Sequence, residues 1–321
     1  MKIIVTGGMG LIGHNIVSKL QNEHNIVIID NHTNYDFIPT KEIEYLIQHR
    51  RKKISKYTNY LIDIAQNENL AVVFKTFKPD IVIHCASFPR QKAVQANPGY
   101  GARVMCEGLT NLLEQSVINN VKRFVYVSSS MVYGDFENDV TEESSCNPFG
   151  QYGIFKLMGE TLVKDYTNRT GLEHTIIRPS AVYGELDVED RVVSKFILRA
   201  MRNETLKVNG PDEVLDFTYV DDAVDGIVQA SLSEKAKNQI YNITRSADRL
   251  WTLKDAAELA VKIVGKGDIE LGPRDLSFPK RGRLSIEKAI KDLDYDPKVN
   301  VEEGFKKYYN WLSQSEYYKA K

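Results

Sequence analysis

Cysteine is scarce in this chain: 321 residues carry three, Cys85, Cys106 and Cys146, and no two of them form a Cys-x-x-Cys pair. Such spacing supplies neither a disulfide framework nor a thiolate zinc site, so no metal is expected, and so few thiols fit a reducing cytoplasm. A surplus of one charge is also missing. Lys and Arg number 42 against 43 Asp and Glu, a net charge of -1, which lacks the excess cation that neutralising nucleic-acid phosphates requires. Any anionic ligand must then be held locally. No apolar run approaches the roughly 18 to 20 residues of a membrane span. Strand-forming residues begin at Lys2, leaving no room for a signal peptide, so a cytoplasmic protein is expected. Repeats and low-complexity tracts are absent too. What remains is the ordinary balance of a globular protein, 42% hydrophobic and 26% charged, on a chain long enough for one large core or two modest ones.

Lys2-Ile3-Ile4-Val5 is a short β-branched run closed by glycines, and 12–20 then carries helical spacing. The pattern recurs. Strand-like runs stand at 26–29, Ile81–His84, 124–127 and 175–177, with helical stretches between them, among them 109–119 and 153–166. Strands alternating with helices predict a Rossmann-type, doubly wound parallel sheet covered on both faces. The expected division is a cofactor domain over 1–177 with a return segment at 216–245. A smaller mixed α/β substrate domain would come from 178–215 and 246–321, over the carboxyl edge of the sheet where such folds bind ligands. The basic run from His49 to Lys56 reads as a solvated helix face.

Thr6-Gly7-Gly8-Met9-Gly10-Leu11-Ile12-Gly13 follows the first strand and opens the first helix. Gly7 permits the tight turn, Gly10 lets backbone approach a pyrophosphate, and Gly13 allows close helix–strand packing, while free N–H groups at Leu11 and Ile12 and the helix dipole attract the anion. Asp30, twenty residues after Gly10, ends the second strand, where a carboxylate binds ribose hydroxyls and repels a 2′-phosphate; NAD is favoured over NADP. Asn31, Asp63, Ile64 and Ala86 complete the expected cofactor set, the acidic–apolar pair Asp63-Ile64 standing where it can grip the adenine.

Tyr152 and Lys156 are four residues apart at the start of a predicted helix, hence on one face. A phenol is a poor base at neutral pH, but an adjacent ammonium and a positive nicotinamide stabilise the phenolate, so Tyr152 can accept a hydroxyl proton while hydride leaves the same carbon. Lys156 would also hold the nicotinamide ribose. Upstream, Ser128-Ser129-Ser130 ends another strand, where a serine hydroxyl can orient the substrate oxygen.

With these motifs in hand, the sequence resembles the extended short-chain dehydrogenases that act on nucleotide sugars, the group of NAD-dependent epimerases, dehydratases and dehydrogenases. The likeness runs nearly end to end: Thr6 to Gly13, Ser128 to Gly134, Tyr152 with Lys156, Arg178-Pro179 with Val182-Tyr183-Gly184, Asp216 to Ala223, and Glu302-Glu303-Gly304. It implies a Ser129, Tyr152, Lys156 triad and a nucleotide diphosphate sugar as the partner. It also implies a homodimer built on 109–119 and 153–166, with Arg90, Ser129, Ser130, Met131, Arg178, Arg191 and Arg281 on the substrate side.

The departures matter for the reaction. Members that dehydrate the sugar carry an Asp-Glu pair after the catalytic Ser or Thr, and those that epimerise beside a ketone place a Cys second in that pair; here the positions hold Ser130 and Met131. A thioether cannot exchange protons usefully, so oxidation at the 4-position is what remains. Met105 and Ala181 replace two customary Asn residues, and Leu215 stands where relatives clamp the diphosphate with Arg. Losing a bidentate charged contact costs affinity unless another cation supplies it; Arg191, Lys195, Arg281 and Arg283 are the candidates, and Arg90 or Lys92 can face the sugar. The leading expectation is a 4-dehydrogenase giving a 4-keto sugar, with a GDP-linked heptose of capsule pathways as one substrate. A 4-epimerase passing through a transient 4-keto sugar is the alternative, and a catalytically silent NAD-binding regulator is the rival of another class.

Overall fold

The computed structural model describes residues 1–33, 37–137 and 139–319. Its strands in chain order are β1 (Lys2–Thr6), β2 (Asn25–Asp30), β3 (Thr58–Leu61), β4 (Ile81–His84), β5 (Arg123–Val127), β6 (Glu173–Pro179), β7 (Val182–Tyr183), β8 (Leu206–Asn209), β9 (Thr218–Tyr219), β10 (Gln239–Ile243) and β11 (Ile269–Gly272). Seven of them form one sheet, ordered β10-β6-β5-β4-β1-β2-β3, with every neighbouring pair parallel. The chain winds outward from β1 in both directions, which is the doubly wound Rossmann-type fold the alternation predicts. The order reverses between β1 and β4, so a crevice opens beyond their carboxyl ends, where such sheets bind ligands. The pairs β7–β9 and β8–β11 build small sheets on that side.

Alternation along each strand decides the core. Ile3 and Val5 of β1 face one cluster while Ile4 faces the other; Val125 and Val127 of β5 likewise oppose Phe124 and Tyr126. Both faces are apolar because helices cover both. The first cluster runs on through Phe217, Trp251, Phe305 and Tyr308, so the C-terminal elements are packed onto the sheet directly.

The basic run departs from its expected role. Arg51, Lys52 and Lys53 are exposed at the end of the helix Thr40–Lys53, but Arg50 is only 4% exposed. Glu42, Leu46 and Arg50, spaced four apart, make that helix's buried face, so one cation of the run belongs to the interior.

Candidate active site

The glycine turn fits a dinucleotide by what it leaves out. Gly7 has φ +66°, and a Cβ there would lie 2.6 Å from the Ala86 nitrogen; a Cβ on Gly13 would lie 2.2 Å from the Gly7 carbonyl oxygen. Side chains at either position would push the turn off the neighbouring strand or helix. Gly10 caps the helix Leu11–Leu20 without any side-chain partner, so the N–H groups of its first turn remain for an anion. Asp30 is fixed beside them: Oδ2 accepts the Met9 N–H at 2.8 Å and Oδ1 the His32 N–H at 2.8 Å. Asn31 Oδ1 accepts the Thr33 N–H at 3.2 Å, and the Ala86 N–H reaches Thr6 Oγ1 at 3.4 Å. Just beyond β3, Asp63 Oδ1 caps its own loop through the Ala65 N–H, and Ile64 fills the space a Cβ on Gly108 would need.

Tyr152 and Lys156 lie in the first two turns of the helix Gly150–Thr170. Its N-cap, Phe149, offers no side-chain hydrogen bond; the amide of Gln91 does that job from the start of the short helix Gln91–Ala96, with Oε1 accepting the Tyr152 N–H at 3.3 Å. Gly150, at φ +77°, makes room for it, since a Cβ there would overlap the Gln91 amide. Sequence reading missed Gln91, because no periodicity points from one helix's first residue to another helix's first turn. Ser129 Oγ accepts the Met131 N–H at 3.2 Å and lies close enough to the Tyr152 phenol to favour its anion. Ser130 and Met131 open a short 3-10 turn, Ser130–Tyr133, and both are buried.

The electrostatics correct one expectation. Lys156 Nζ donates to the Val127 carbonyl at 2.8 Å and sits 5.9 Å from the centre of the Tyr152 ring. Burial raises the phenol above its ordinary range, and the groups that pull it back are the Arg191 guanidinium and the Ser129 hydrogen bond. The cation that favours the phenolate is therefore Arg191, while the Lys156 ammonium is held by the Val127 carbonyl. Burial lowers Lys156 itself to about 8, against Cys85 and Glu160, which favour its charged form. Because the folded value lies below the ordinary 10.5, the unfolded chain binds more protons between the two, so this group's penalty is full below pH 8 and fades as pH rises toward 10.5. Urea unfolding of the parent and of Lys156→Met should show the parent gaining roughly 2 kcal/mol on the variant between pH 7 and 10; a constant difference would mean the lysine is not desolvated as described.

Behind Ser129, Tyr152 and Lys156 lies a buried polar network. Glu160, one turn beyond Lys156, accepts from Ser128 Oγ at 2.6 Å and from Arg178 at 2.9 and 2.7 Å. Arg178 Nη1 donates to Tyr133 Oη at 2.9 Å and to the Glu142 carbonyl at 3.2 Å, and Tyr133 donates to Asn242 Oδ1 at 2.8 Å. The expectation that Arg178 touches substrate is thereby corrected. It is 2% exposed and its donors are spent inside, tying the catalytic helix to β5, β6 and β10. Glu160 was missed, although an acid four residues beyond Lys156 on a buried face was the available signal.

Residues 3–244 match the model of the NAD dependent epimerase/dehydratase family. The chain belongs to that family. A putative UDP-glucose 4-epimerase of Methanocaldococcus jannaschii is 31% identical over 98% of this chain and 99% of its own length. A UDP-glucuronate 4-epimerase of Thermodesulfobacterium geofontis is 27% identical over 97% and 96%. Among solved structures, the UDP-glucuronic acid 4-epimerase of Bacillus cereus in complex with UDP-glucuronic acid and NAD superposes with a TM-score of 0.90, at 26% identity over 98% of this chain and 99% of that one. As a member of this epimerase/dehydratase family, the chain is an NAD-dependent enzyme of the nucleotide-sugar type, which removes the silent-regulator alternative.

The cations of this epimerase/dehydratase chain divide into engaged and available ones. Leu215, in the place of the clamping Arg, is 8% exposed within the main core, and Met105 is buried in the second cluster. Arg90 pairs with Asp190, as does Lys195; Lys92 pairs with Asp275 at 2.7 Å and Arg283 with Asp139 at 2.7 Å. Arg191 Nε stands 4.0 Å from Asp187 and faces Tyr152 electrostatically. Arg281 lies over the Phe278 ring at 6.0 Å, and no carboxylate among the described residues is in salt-bridge reach of it. Burial lowers it to about 10, so it stays charged at neutral pH. Among the candidate cations, Arg281 has no carboxylate of the described residues in salt-bridge reach and Arg191 has one only at 4.0 Å.

Proposed function

We propose that this enzyme oxidises the C4 hydroxyl of a nucleotide diphosphate sugar. The observation that carries the reading is the placing of Lys156 Nζ 5.9 Å from the centre of the half-buried Tyr152 ring, with the Ser129 hydroxyl close enough to lower the phenol's pKa, in a chain whose glycine turn is shaped for NAD. Bound NAD supplies the hydride acceptor. Tyr152 accepts the C4 hydroxyl proton, Ser129 orients that oxygen, and Lys156, held by the Val127 carbonyl, biases the phenol toward its anion once the hydrogen bonds tighten around a ligand. Gly7, Gly10, Leu11, Ile12 and Gly13 would hold the pyrophosphate, Asp30 and Asn31 the adenosine ribose, Asp63 and Ile64 the adenine, and Ala86 the nicotinamide side. Arg281 and Arg191 take the diphosphate and sugar in place of the arginine lost at Leu215. The cofactor unit spans 1–177 with 216–245, and the rest forms the substrate unit.

Two fates follow for the 4-keto sugar. Return of the hydride to its other face makes a 4-epimerase, the reading favoured by the names of the relatives. Release makes a 4-dehydrogenase, favoured by Leu215: a loosely clamped diphosphate lets the ketone leave before it turns over, and a GDP-linked heptose of capsule pathways is the substrate to try first. The exposed apolar side chains Ile154 and Met158 on the catalytic helix and Ile118 on the helix Gly108–Ile118 fit a second copy packed there, a homodimer. No helix among the described residues is long and apolar enough to cross a membrane, and a cytoplasmic setting fits the thiols. Incubation with UDP- and GDP-sugars, read at 340 nm and by product analysis, decides the fate. A C4 epimer without accumulated NADH means epimerase, stoichiometric NADH or its transfer to an added keto acid means dehydrogenase, and no C4 chemistry on any of them would overturn the proposal.

A further inference from the structure

The helix Thr40–Lys53 buries two charged side chains, and both reach the same loop. Arg50 Nη1 donates to the Met9 carbonyl at 2.7 Å, and its Nη2 donates to the Leu186 carbonyl at 2.6 Å. Glu42 Oε1 accepts the Glu189 N–H at 2.5 Å and the Tyr318 hydroxyl at 2.8 Å. Met9 lies in the glycine turn, where its N–H already donates to Asp30; Arg50 therefore fixes its second polar group. Leu186 and Glu189 lie in 184–191, which ends at Arg191, the cation felt at the Tyr152 phenol. Leu186 holds φ +66°, a conformation that costs a branched residue on the order of 1 kcal/mol or more. Something must hold it there, and the bond from a buried guanidinium to its carbonyl is of the charge-assisted kind.

We propose that Arg50 is a positioning residue that couples the cofactor turn to the sugar-side loop 184–191, so that NAD on the turn orders the loop bearing Arg191. One guanidinium spans both segments, so neither carbonyl can shift without straining the bond to the other. Ligand that steadies Met9 steadies Leu186, and the linkage runs equally in reverse, from sugar to cofactor. Lysine cannot replace this bridge, because its single ammonium lacks the planar fork that serves two carbonyls at once.

The inference rests on the cofactor reading of the turn, and hydrogen–deuterium exchange of the full chain with and without NAD separates the two. In the parent, NAD slows exchange in peptides covering Gly7–Gly13 and, by about tenfold, in those covering 184–191. In Arg50→Met the turn keeps its protection while the loop returns to within about twofold of its NAD-free rate. Arg50→Lys keeps the charge and one of the two bonds; it loses most of the loop effect and decides the matter should the Met variant fail to fold. Loop protection of parental size in either folded variant overturns the proposal, as does a protected turn with an unprotected loop in the parent. An unprotected turn in the parent would instead count against the cofactor reading.

Discussion

Tyr152→Phe should lower turnover by roughly 10² to 10⁴-fold, the range general acid–base groups contribute, while leaving NAD affinity within about twofold. The ring of Tyr152 packs against the second core cluster, and Phe preserves that packing, so only the hydroxyl is removed. The proton of the C4 hydroxyl then has no acceptor. Among neighbours of the phenol, Ser129 cannot substitute, its oxygen being engaged with the Met131 N–H, and Lys156 is committed to the Val127 carbonyl. Equilibrium NAD binding and single-turnover assays on the same preparation separate the two effects. Unchanged turnover would remove the phenol from the mechanism.

The second large effect falls on stability. Arg178→Ala should destabilise the fold by about 3 to 5 kcal/mol, because it leaves Glu160 as a buried charge without its partner. Glu160 and Arg178 side chains are 1% and 3% exposed, so water cannot take over. The paired variant Glu160→Met with Arg178→Met removes both charges and should recover much of that loss, since replacing a buried ion pair by apolar groups of similar size is often near neutral. Urea denaturation of the three proteins measures this. A single variant as stable as the parent would show that the network is not closed as described.

The network also explains why catalysis and folding share residues here. Ser128, next to the catalytic serine, is anchored to Glu160, and Glu160 is one helical turn from Lys156. The ion pair thus sets the distance between the strand end that carries Ser129 and the helix that carries Tyr152.

Much of this was readable in the sequence where a single local rule applied. The glycine turn, Asp30 and the Tyr152–Lys156 spacing follow from backbone sterics and helical periodicity, and the parallel sheet follows from alternation. The residues that escaped are those whose partners are distant in the chain. Arg50 looked like one more solvated cation because its partners, Met9 and Leu186, lie 41 and 136 positions away. Arg178 was placed on the substrate side because a motif marks its presence and not its direction; its partners Glu160 and Tyr133 became visible only once β6 lay beside β5. Gln91 likewise caps a helix 61 positions on. Spacing puts Lys156 on the right face but carries no sign that the Val127 carbonyl accepts from its ammonium or that Arg191, far along the chain, comes near the phenol.

The most direct test of the central claim follows a label. Nucleotide sugars of the UDP and GDP series carrying deuterium at C4 are incubated with the NAD-loaded enzyme, and the cofactor is recovered and analysed by mass spectrometry. Oxidation at C4 predicts deuterium on the reduced nicotinamide ring of rapidly quenched samples of the accepted sugar, lasting if the ketone is released and handed back to an inverted C4 if the sugar is epimerised, and none when Tyr152 is Phe. Conversion of that sugar with C4 still deuterated in its original configuration and no deuterated cofactor at any quench time would contradict the account.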